Sequence, residues 1–242
     1  MKIAFFSDIH ANLPALEAGY GRAKRAEAER FVSCGDAVGG GPYPRETIQF
    51  LREKNFTAVS GNIERKLLEG IAISSKKKKK LPDGKKGNLA WTLLRLGSEE
   101  VEWLSALPKD LFFTESDVRI KAVHGSPKSD KDYIYPSITK EGLQQRLDLD
   151  LPDVLVCGHS HIPFVKRLSG ILVVNCGSAG KPIDGDPAGA FALVEIKKPG
   201  ATAAKIIRFR YPLEALIAEI HTRHPPGVLI EEYMLGIKKK GS

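Results

Sequence analysis

The chain has 242 residues, of which 42% are hydrophobic and 27% charged, enough for one globular domain with a substantial core. Its formal net charge of +8 is local, because ten of its lysines lie at residues 74–87 and 238–240. A lysine cluster without interleaved aromatic residues is typical of a solvated loop. A nucleic-acid substrate therefore stays open as an alternative but is not favoured.

No apolar run approaches the roughly 18 residues of a membrane-spanning helix, and Asp8 lies too near the N-terminus for a signal peptide. The three cysteines, Cys34, Cys157 and Cys176, are widely spaced and form no CxxC pair. We expect them to be buried and free, joined neither in a disulfide nor in a zinc site. These features indicate a cytoplasmic protein without a membrane partner.

The first sixty residues alternate short apolar runs with amphipathic patterns. The apolar runs at 3–7, 31–34 and 56–60 predict strands, and apolar residues at three- and four-residue spacing predict helices at 14–29 and 44–54. This β-α-β-α-β order indicates parallel strands joined by crossover helices.

Residues 63–108 have a different pattern, with helices predicted at 64–69, 89–96 and 99–107 around the lysine-rich stretch. We interpret them as a helical insertion that serves as a lid. Beyond it, strands dominate and only two further helices are predicted, at 140–147 and 213–221. The predicted strands are 111–114, 118–123, 154–157, 164–168, 171–175, 191–196 and 204–209. The chain is therefore predicted to be a single α/β domain over residues 1–242 (α+β in some schemes), with two packed sheets and outer helices.

Five short polar motifs each follow an apolar run at the end of a predicted strand. They are Asp8-Ile9-His10, Gly35-Asp36, Gly61-Asn62, His124-Gly125 and Gly158-His159-Ser160-His161. Because ligand sites form at the carboxyl ends of strands in α/β sheets, we expect these motifs to meet at one edge. The glycines before Asp36, Asn62 and His159 permit the tight turns that this requires.

The motifs contain two carboxylates, four imidazoles and one carboxamide. This donor set suits two divalent metal ions, with Mn²⁺ favoured and Fe, Zn²⁺ or Ni²⁺ as alternatives. It does not suit a calcium loop or an iron–sulfur cluster. Seven donors are too many for one tetrahedral ion but enough for two ions that share a carboxylate.

The order D-x-H, G-D, G-N, H-G and G-H-x-H is similar to that of the calcineurin-like metallophosphoesterase superfamily, in particular its small bacterial and archaeal predicted phosphoesterases. The resemblance implies a four-layer α-β-β-α sandwich of two mixed sheets. It also implies one metal site from Asp8, His10 and His161, a second from Asn62, His124 and His159, and Asp36 as the bridge between them.

The same resemblance implies that Asp36, Asn62 and His124 are catalytic residues and that a metal-bridging hydroxide attacks phosphorus. Asn62 and the nearby Arg65 are predicted to contact the substrate. The superfamily pattern often reads G-N-H-[DE], with a histidine that assists the leaving group, but this chain has Ile63 there. A phosphodiesterase is therefore favoured over enzymes that hydrolyse simple alkyl monoesters.

Several alternatives stay open at the level of sequence. A phosphomonoesterase or nucleotidase, a protein-phosphatase-like enzyme and a nuclease share the same motifs. A metal-binding scaffold without turnover is less favoured because all seven donors are present, and a zinc amidohydrolase is disfavoured by the carboxamide donor. The expected substrate is a small phosphoester or nucleotide-type molecule, selected by residues 63–108 and by the loop at 126–136.

Overall fold

A computed structural model describes residues 1–74 and 84–239. The sequence does not indicate the role of Lys76–Lys80, and these lysines lie outside the described residues. The strands are β1 (Lys2–Phe6), β2 (Arg30–Ser33), β3 (Thr57–Ala58), β4 (Asp110–Glu115), β5 (Val118–Val123), β6 (Val154–Cys157), β7 (Phe164–Leu168), β8 (Ile171–Asn175), β9 (Gly189–Glu195) and β10 (Ala203–Phe209). The helices are α1 (Leu13–Arg25), α2 (Pro44–Glu53), α3 (Asn62–Ser74), α4 (Gly84–Leu93), α5 (Ser98–Ser105), α6 (Lys140–Arg146), α7 (Leu213–Arg223) and α8 (Ile230–Leu235).

The strands form two mixed sheets. The first sheet has the order β10-β9-β1-β2-β3 and the second has the order β4-β5-β6-β8-β7. In the first sheet β1, β2 and β3 run parallel, as predicted, with Ile3 opposite Arg30, and β9 runs antiparallel to β1. In the second sheet β5, β6 and β8 run parallel, and β4 and β7 are antiparallel edge strands.

The main core lies between the two sheets and follows from the alternation of side chains along each strand. On β1, Ile3 and Phe5 face inward and pack with residues of the second sheet such as Ile120 and Val156. The alternate residues Ala4 and Phe6 face outward and pack with the helices α1 and α2. A third cluster, which includes Leu143 of α6, covers the outer face of the second sheet. The prediction of a four-layer sandwich with two mixed sheets is therefore confirmed.

The helices of the predicted insertion pack beside α2. Leu67 of α3 and Leu104 of α5 share a buried cluster with Val38 and Ile48. Their ends differ from the predicted ones: α3 continues through Gly70 to Ser74, and α4 ends at Leu93. This packing brings α3 alongside the loop that follows β2.

Two further expectations concern the cysteines and the membrane. Cys34, Cys157 and Cys176 are buried and free, as predicted. Among the described residues, no helix is long and apolar enough to cross a bilayer.

Candidate metal centre

The five polar motifs meet where the parallel strands of both sheets end. Asp8 and His10 follow β1, Asp36 follows β2, and Asn62 begins α3 after β3. His124 follows β5, and His159 and His161 follow β6. The backbone bends sharply at these points, because five of the seven predicted ligands have φ between 51° and 63°: Asp8, His10, Asp36, His159 and His161. Non-glycine residues rarely adopt this left-handed conformation, and its strain is commonly stored at functional sites.

Asp8, His10 and His161 form the first group of candidate ligands. The Oδ1 atom of Asp8 lies 3.1 Å from His161 Nε2 and 3.7 Å from His10 Nε2. The two Nε2 atoms are 3.3 Å apart. Asp8 is fully buried, and its Oδ1 accepts no hydrogen bond among the described residues. Three electron-rich atoms therefore converge on one small volume, which fits a bound cation.

Asp36, His124 and His159 form the second group, with Asn62 beside them. His124 Nε2 lies 3.5 Å from Asp36 Oδ2, 3.1 Å from His159 Nδ1 and 3.2 Å from Asn62 Oδ1. The same Asp36 Oδ2 is 4.0 Å from His10 Nε2 of the first group. Asp36 thus lies between the two groups, at the position that the resemblance implies for a bridging ligand.

Backbone carbonyl groups orient three of the four imidazoles. In each ring the Nδ1–H donates to a carbonyl oxygen, so the Nε2 atom presents its lone pair to the cluster. The three hydrogen bonds run from His10 to Gly39 (2.9 Å), from His124 to Cys34 (2.8 Å) and from His161 to Lys181 (2.5 Å). Lone pairs that face each other at about 3 Å need a proton or a cation between them, so the donor set fits divalent metal ions.

The carboxylates are held by backbone N–H groups on one side only. Asp8 Oδ2 accepts from His159 N at 2.8 Å, and Asp36 Oδ1 accepts from Ile63 N at 2.8 Å. Glu64, which is buried, accepts from the backbone N–H groups of Asp36 and Gly61 and so ties the second motif to the third. Each aspartate therefore keeps one anchored oxygen and turns the other into the cluster.

The amide of Asn62 has two orientations with different partners. In one, Oδ1 faces His124 Nε2, as a metal ligand would. In the other, the NH₂ group donates to His159 Nδ1 at 2.9 Å and the oxygen accepts from Lys66 Nζ at 3.1 Å. The second orientation suits a neutral His124, because the NH₂ group then also faces His124 Nε2 at 3.2 Å. The first is the one compatible with a cation beside His124 and His159.

Two of the glycines in the motifs are required by close approach. A Cβ at Gly61 would lie 2.3 Å from Asp36 Oδ1, and one at Gly158 would lie 1.8 Å from the Oγ atom of Ser7 and 2.6 Å from Asp8 Oδ2. Any side chain at these positions would displace a candidate ligand. The sequence indicated these glycines as turn formers; the contacts give the stronger reason.

Burial and mutual charge shift the protonation of the centre. Burial lowers the pKa of His10 to about 4. Burial also lowers the pKa of His124, but the charge of Asp36 and its hydrogen bond outweigh this effect and raise it to about 10. Burial and the nearby Asp36 raise the pKa of Glu64 to about 7. In the metal-free protein a proton is therefore held at His124, where a cation would displace it.

A cavity of about 610 Å³ opens over the cluster and is large enough for a small ligand. Its wall includes Ile63 from α3 and residues from the 126–136 loop. Both belong to the regions that we predicted from the sequence to select the substrate. It also includes side chains that the sequence did not single out. These are Lys66, Lys131, Tyr133, Tyr135, Lys181, Ile183 and Lys238.

Arg65, predicted to contact the substrate, does not line this cavity. Its guanidinium group binds Asp130 at 2.6 Å and Glu69 at 2.7 Å, and it borders a neighbouring cavity of about 400 Å³. Helix geometry explains the difference, because residues three apart share a face whereas residues two apart do not. Lys66, three residues after Ile63, therefore takes the position predicted for Arg65.

Comparison with known proteins agrees with this geometry. Residues 1–199 match the family model of the calcineurin-like phosphoesterase superfamily domain. An uncharacterized protein of Methanocaldococcus jannaschii is 28% identical over 256 aligned positions, covering 97% of this chain and 98% of that protein. A metallophosphoesterase from Sphaerobacter thermophilus has a TM-score of 0.78 at 26% identity, covering 98% of this chain and 100% of the other. A hypothetical protein from Pyrococcus horikoshii shares the fold, with a TM-score of 0.84 at 23% identity, covering 98% and 99% of the two chains.

Proposed function

The chain belongs to the calcineurin-like phosphoesterase superfamily, and from this premise we propose that it is a dinuclear-metal phosphodiesterase. The observation that carries the proposal is the cluster of seven candidate ligands, in two groups with Asp36 between them. When bound, two divalent ions supply a water of lowered pKa as nucleophile and neutralise charge on the phosphate oxygens.

The chain itself provides a fixed frame for this chemistry. Asp8 and Asp36 are each anchored by a backbone N–H, so neither has to reorganise when the substrate binds. His10, Asp36, Asn62, His159 and His161 line the cavity, where an entering phosphate group meets them directly. Asp36 sets the spacing of the two groups, and Asn62 lies beside His124 Nε2 and lines the cavity that a phosphate would enter.

The preference for diesters rests on Ile63. Its side chain lines the cavity, and its backbone N–H donates to Asp36. Among the described residues, no imidazole lines the cavity except those of the ligand cluster. A leaving oxygen therefore receives no proton from a histidine at position 63, an assistance worth about 10²- to 10⁴-fold. Esters with acidic leaving groups need this assistance least.

The donor set supports a proposal for the identity of the ions. Imidazole and carboxylate donors with one carboxamide favour Mn²⁺, with Fe, Zn²⁺ or Ni²⁺ as alternatives. The three buried free cysteines lie outside the donor set and fit a reducing compartment, in agreement with a cytoplasmic enzyme.

The test is hydrolysis by protein that has been stripped of metal and reconstituted with Mn²⁺. An aryl phosphodiester and the matching aryl phosphomonoester are compared at several salt concentrations. We expect the diester to be hydrolysed faster, with little effect of moderate salt. A strong monoester preference would indicate a phosphomonoesterase or nucleotidase. A steep decrease of activity with salt would indicate a nuclease. Full metal loading without any turnover would indicate a scaffold.

A further inference from the structure

The wall of the cavity combines cations and aromatic rings. Four lysines line it, at positions 66, 131, 181 and 238, together with Tyr133 and Tyr135. They come from four separate parts of the chain: α3, the loop after β5, the loop after β8 and the residues after α8. Such convergence from distant segments is characteristic of a built binding surface.

Three of the four lysines have no carboxylate partner. Lys181 forms an ion pair with Glu232, with its Nζ atom 3.0 Å from Oε2. Within the described residues, no carboxylate lies within 4 Å of the ammonium groups of Lys66, Lys131 or Lys238, and all three side chains are exposed. A phosphodiester carries a single negative charge at the phosphate that is hydrolysed. The cavity therefore holds more positive charge than that phosphate can neutralise.

The tyrosines continue a stack of rings that starts at the metal centre. Tyr133 stacks on His159, with centroids 4.3 Å apart and planes at 22°, and Tyr135 stacks on Tyr133 at 5.6 Å and 8°. Both tyrosines are partly open to solvent, 45% and 40% exposed. Between them Ile134 is fully buried, and its carbonyl oxygen accepts from Asn175, which anchors this loop, while both tyrosines line the cavity.

From these observations we propose that the substrate is a phosphodiester bearing a planar ring and at least one further phosphate group. The ring stacks on the outer face of Tyr135, the last ring of the stack, and the additional phosphate binds the three lysines that have no carboxylate partner. This inference rests on the proposed function and assigns the class of substrate to the same site.

The test is competition against hydrolysis of a small aryl diester by the Mn²⁺-reconstituted protein. The competitors are ribose 5-phosphate, AMP and ADP, at constant saturating free Mn²⁺ so that chelation by ADP does not contribute. AMP adds a planar ring to ribose 5-phosphate, and ADP adds a second phosphate to AMP. We expect each addition to lower the inhibition constant by about tenfold.

Matched variants assign each effect to its residues. Tyr135→Leu should remove the advantage of AMP over ribose 5-phosphate, and Tyr135→Phe should keep it. Lys131→Gln should reduce the advantage of ADP over AMP several-fold, whereas Lys140→Gln, an exposed lysine of α6, should leave all values unchanged. Manganese content is measured for each variant, so that an effect on the metal centre is separated from an effect on ring binding.

The outcomes separate this inference from the proposed function. Equal inhibition by the three competitors, with diester hydrolysis intact, would overturn the inference and leave the function standing. If no phosphoester is hydrolysed, the function fails, and binding of the same compounds to the Mn²⁺-loaded protein is measured by calorimetry. The order ADP, AMP, ribose 5-phosphate would then still support the ligand class, and equal affinities would overturn it.

Discussion

His124 Nε2 lies 3.1 Å from His159 Nδ1 although the Nδ1–H of His124 is already donated to the carbonyl oxygen of Cys34. The two ring nitrogens therefore face each other across a contact that only a shared proton or a cation stabilises. His10 and His161 repeat this relationship with their Nε2 atoms at 3.3 Å. The two pairs mark the two positions at which we expect metal ions.

Metal removal should therefore destabilise the fold. Because a cation binds the assembled cluster and not the unfolded chain, Mn²⁺ at about 100 times its dissociation constant should stabilise the protein by about 2.7 kcal/mol per site. Urea unfolding with and without a chelator measures this difference in free energy. An unfolding midpoint that does not respond to Mn²⁺ would contradict the assignment of these residues as ligands.

Asp36→Asn should lower the diesterase kcat by about 10²-fold or more and reduce the bound metal below two ions per chain. The reason is that Asp36 Oδ2 reaches both groups, 3.5 Å from His124 and 4.0 Å from His10. Asp130→Asn is the matched control, because Asp130 pairs with Arg65 outside the cluster. Bound metal per chain and kcat are measured for the two variants. Equal values for Asp36→Asn and Asp130→Asn would contradict a bridging role for Asp36.

Ile63→His should raise the turnover of an alkyl monoester by about tenfold or more, because it supplies an imidazole beside the leaving oxygen. The ratio of monoester to diester turnover is the quantity to measure. Ile63→Leu, which keeps the cavity wall apolar, should leave that ratio unchanged. If the histidine variant keeps the ratio of the parent protein at unchanged metal content, the absence of this group does not explain the diester preference.

Glu232→Gln should lower the free energy of unfolding by about 2 kcal/mol. The carboxylate is fully buried, pairs with Lys181 and accepts the backbone N–H of Lys239 at 2.9 Å. Breaking such a pair leaves a charge without its partner, at a cost reduced by the partial exposure of Lys181. Glu195→Gln breaks an exposed pair with Lys197 and should change stability by less than about 0.5 kcal/mol. Equal urea midpoints for the two variants would contradict this expectation.

Much of the fold was predictable because its central strands, such as β6 and β8, are covered on both faces and give continuous apolar runs. The strands β5 to β8 begin and end where the apolar runs predicted. Helix α8 was not predicted, since it has six residues and its buried positions are Glu232 and Tyr233, which give no apolar periodicity. The strand β3 has only two residues, fewer than its apolar run suggested, because it lies at the sheet edge and pairs with β2 alone.

The residues of the site that directly follow strands could be predicted from the sequence. Those that reach the site through tertiary packing could not. All seven predicted ligands come together because each follows a strand of one of the two facing sheets. Lys238 reaches the cavity only because the segment after α8 folds back and Ile237 bridges to Asp184. No local sequence pattern reports such a contact. The sequence likewise does not show that Lys66 and not Arg65 lines the cavity. That depends on which face of α3 borders the cavity, and the Gly-Asn motif does not determine this face.

Titration of the metal-free protein with Mn²⁺ tests the central claim most directly. Hydrolysis of an aryl diester is measured at each step, together with bound metal per chain. We predict that activity appears and rises until two ions are bound, and that Asp36→Asn abolishes the rise. Activity that saturates with one ion, or two bound ions without hydrolysis of any phosphoester, would contradict a dinuclear phosphodiesterase.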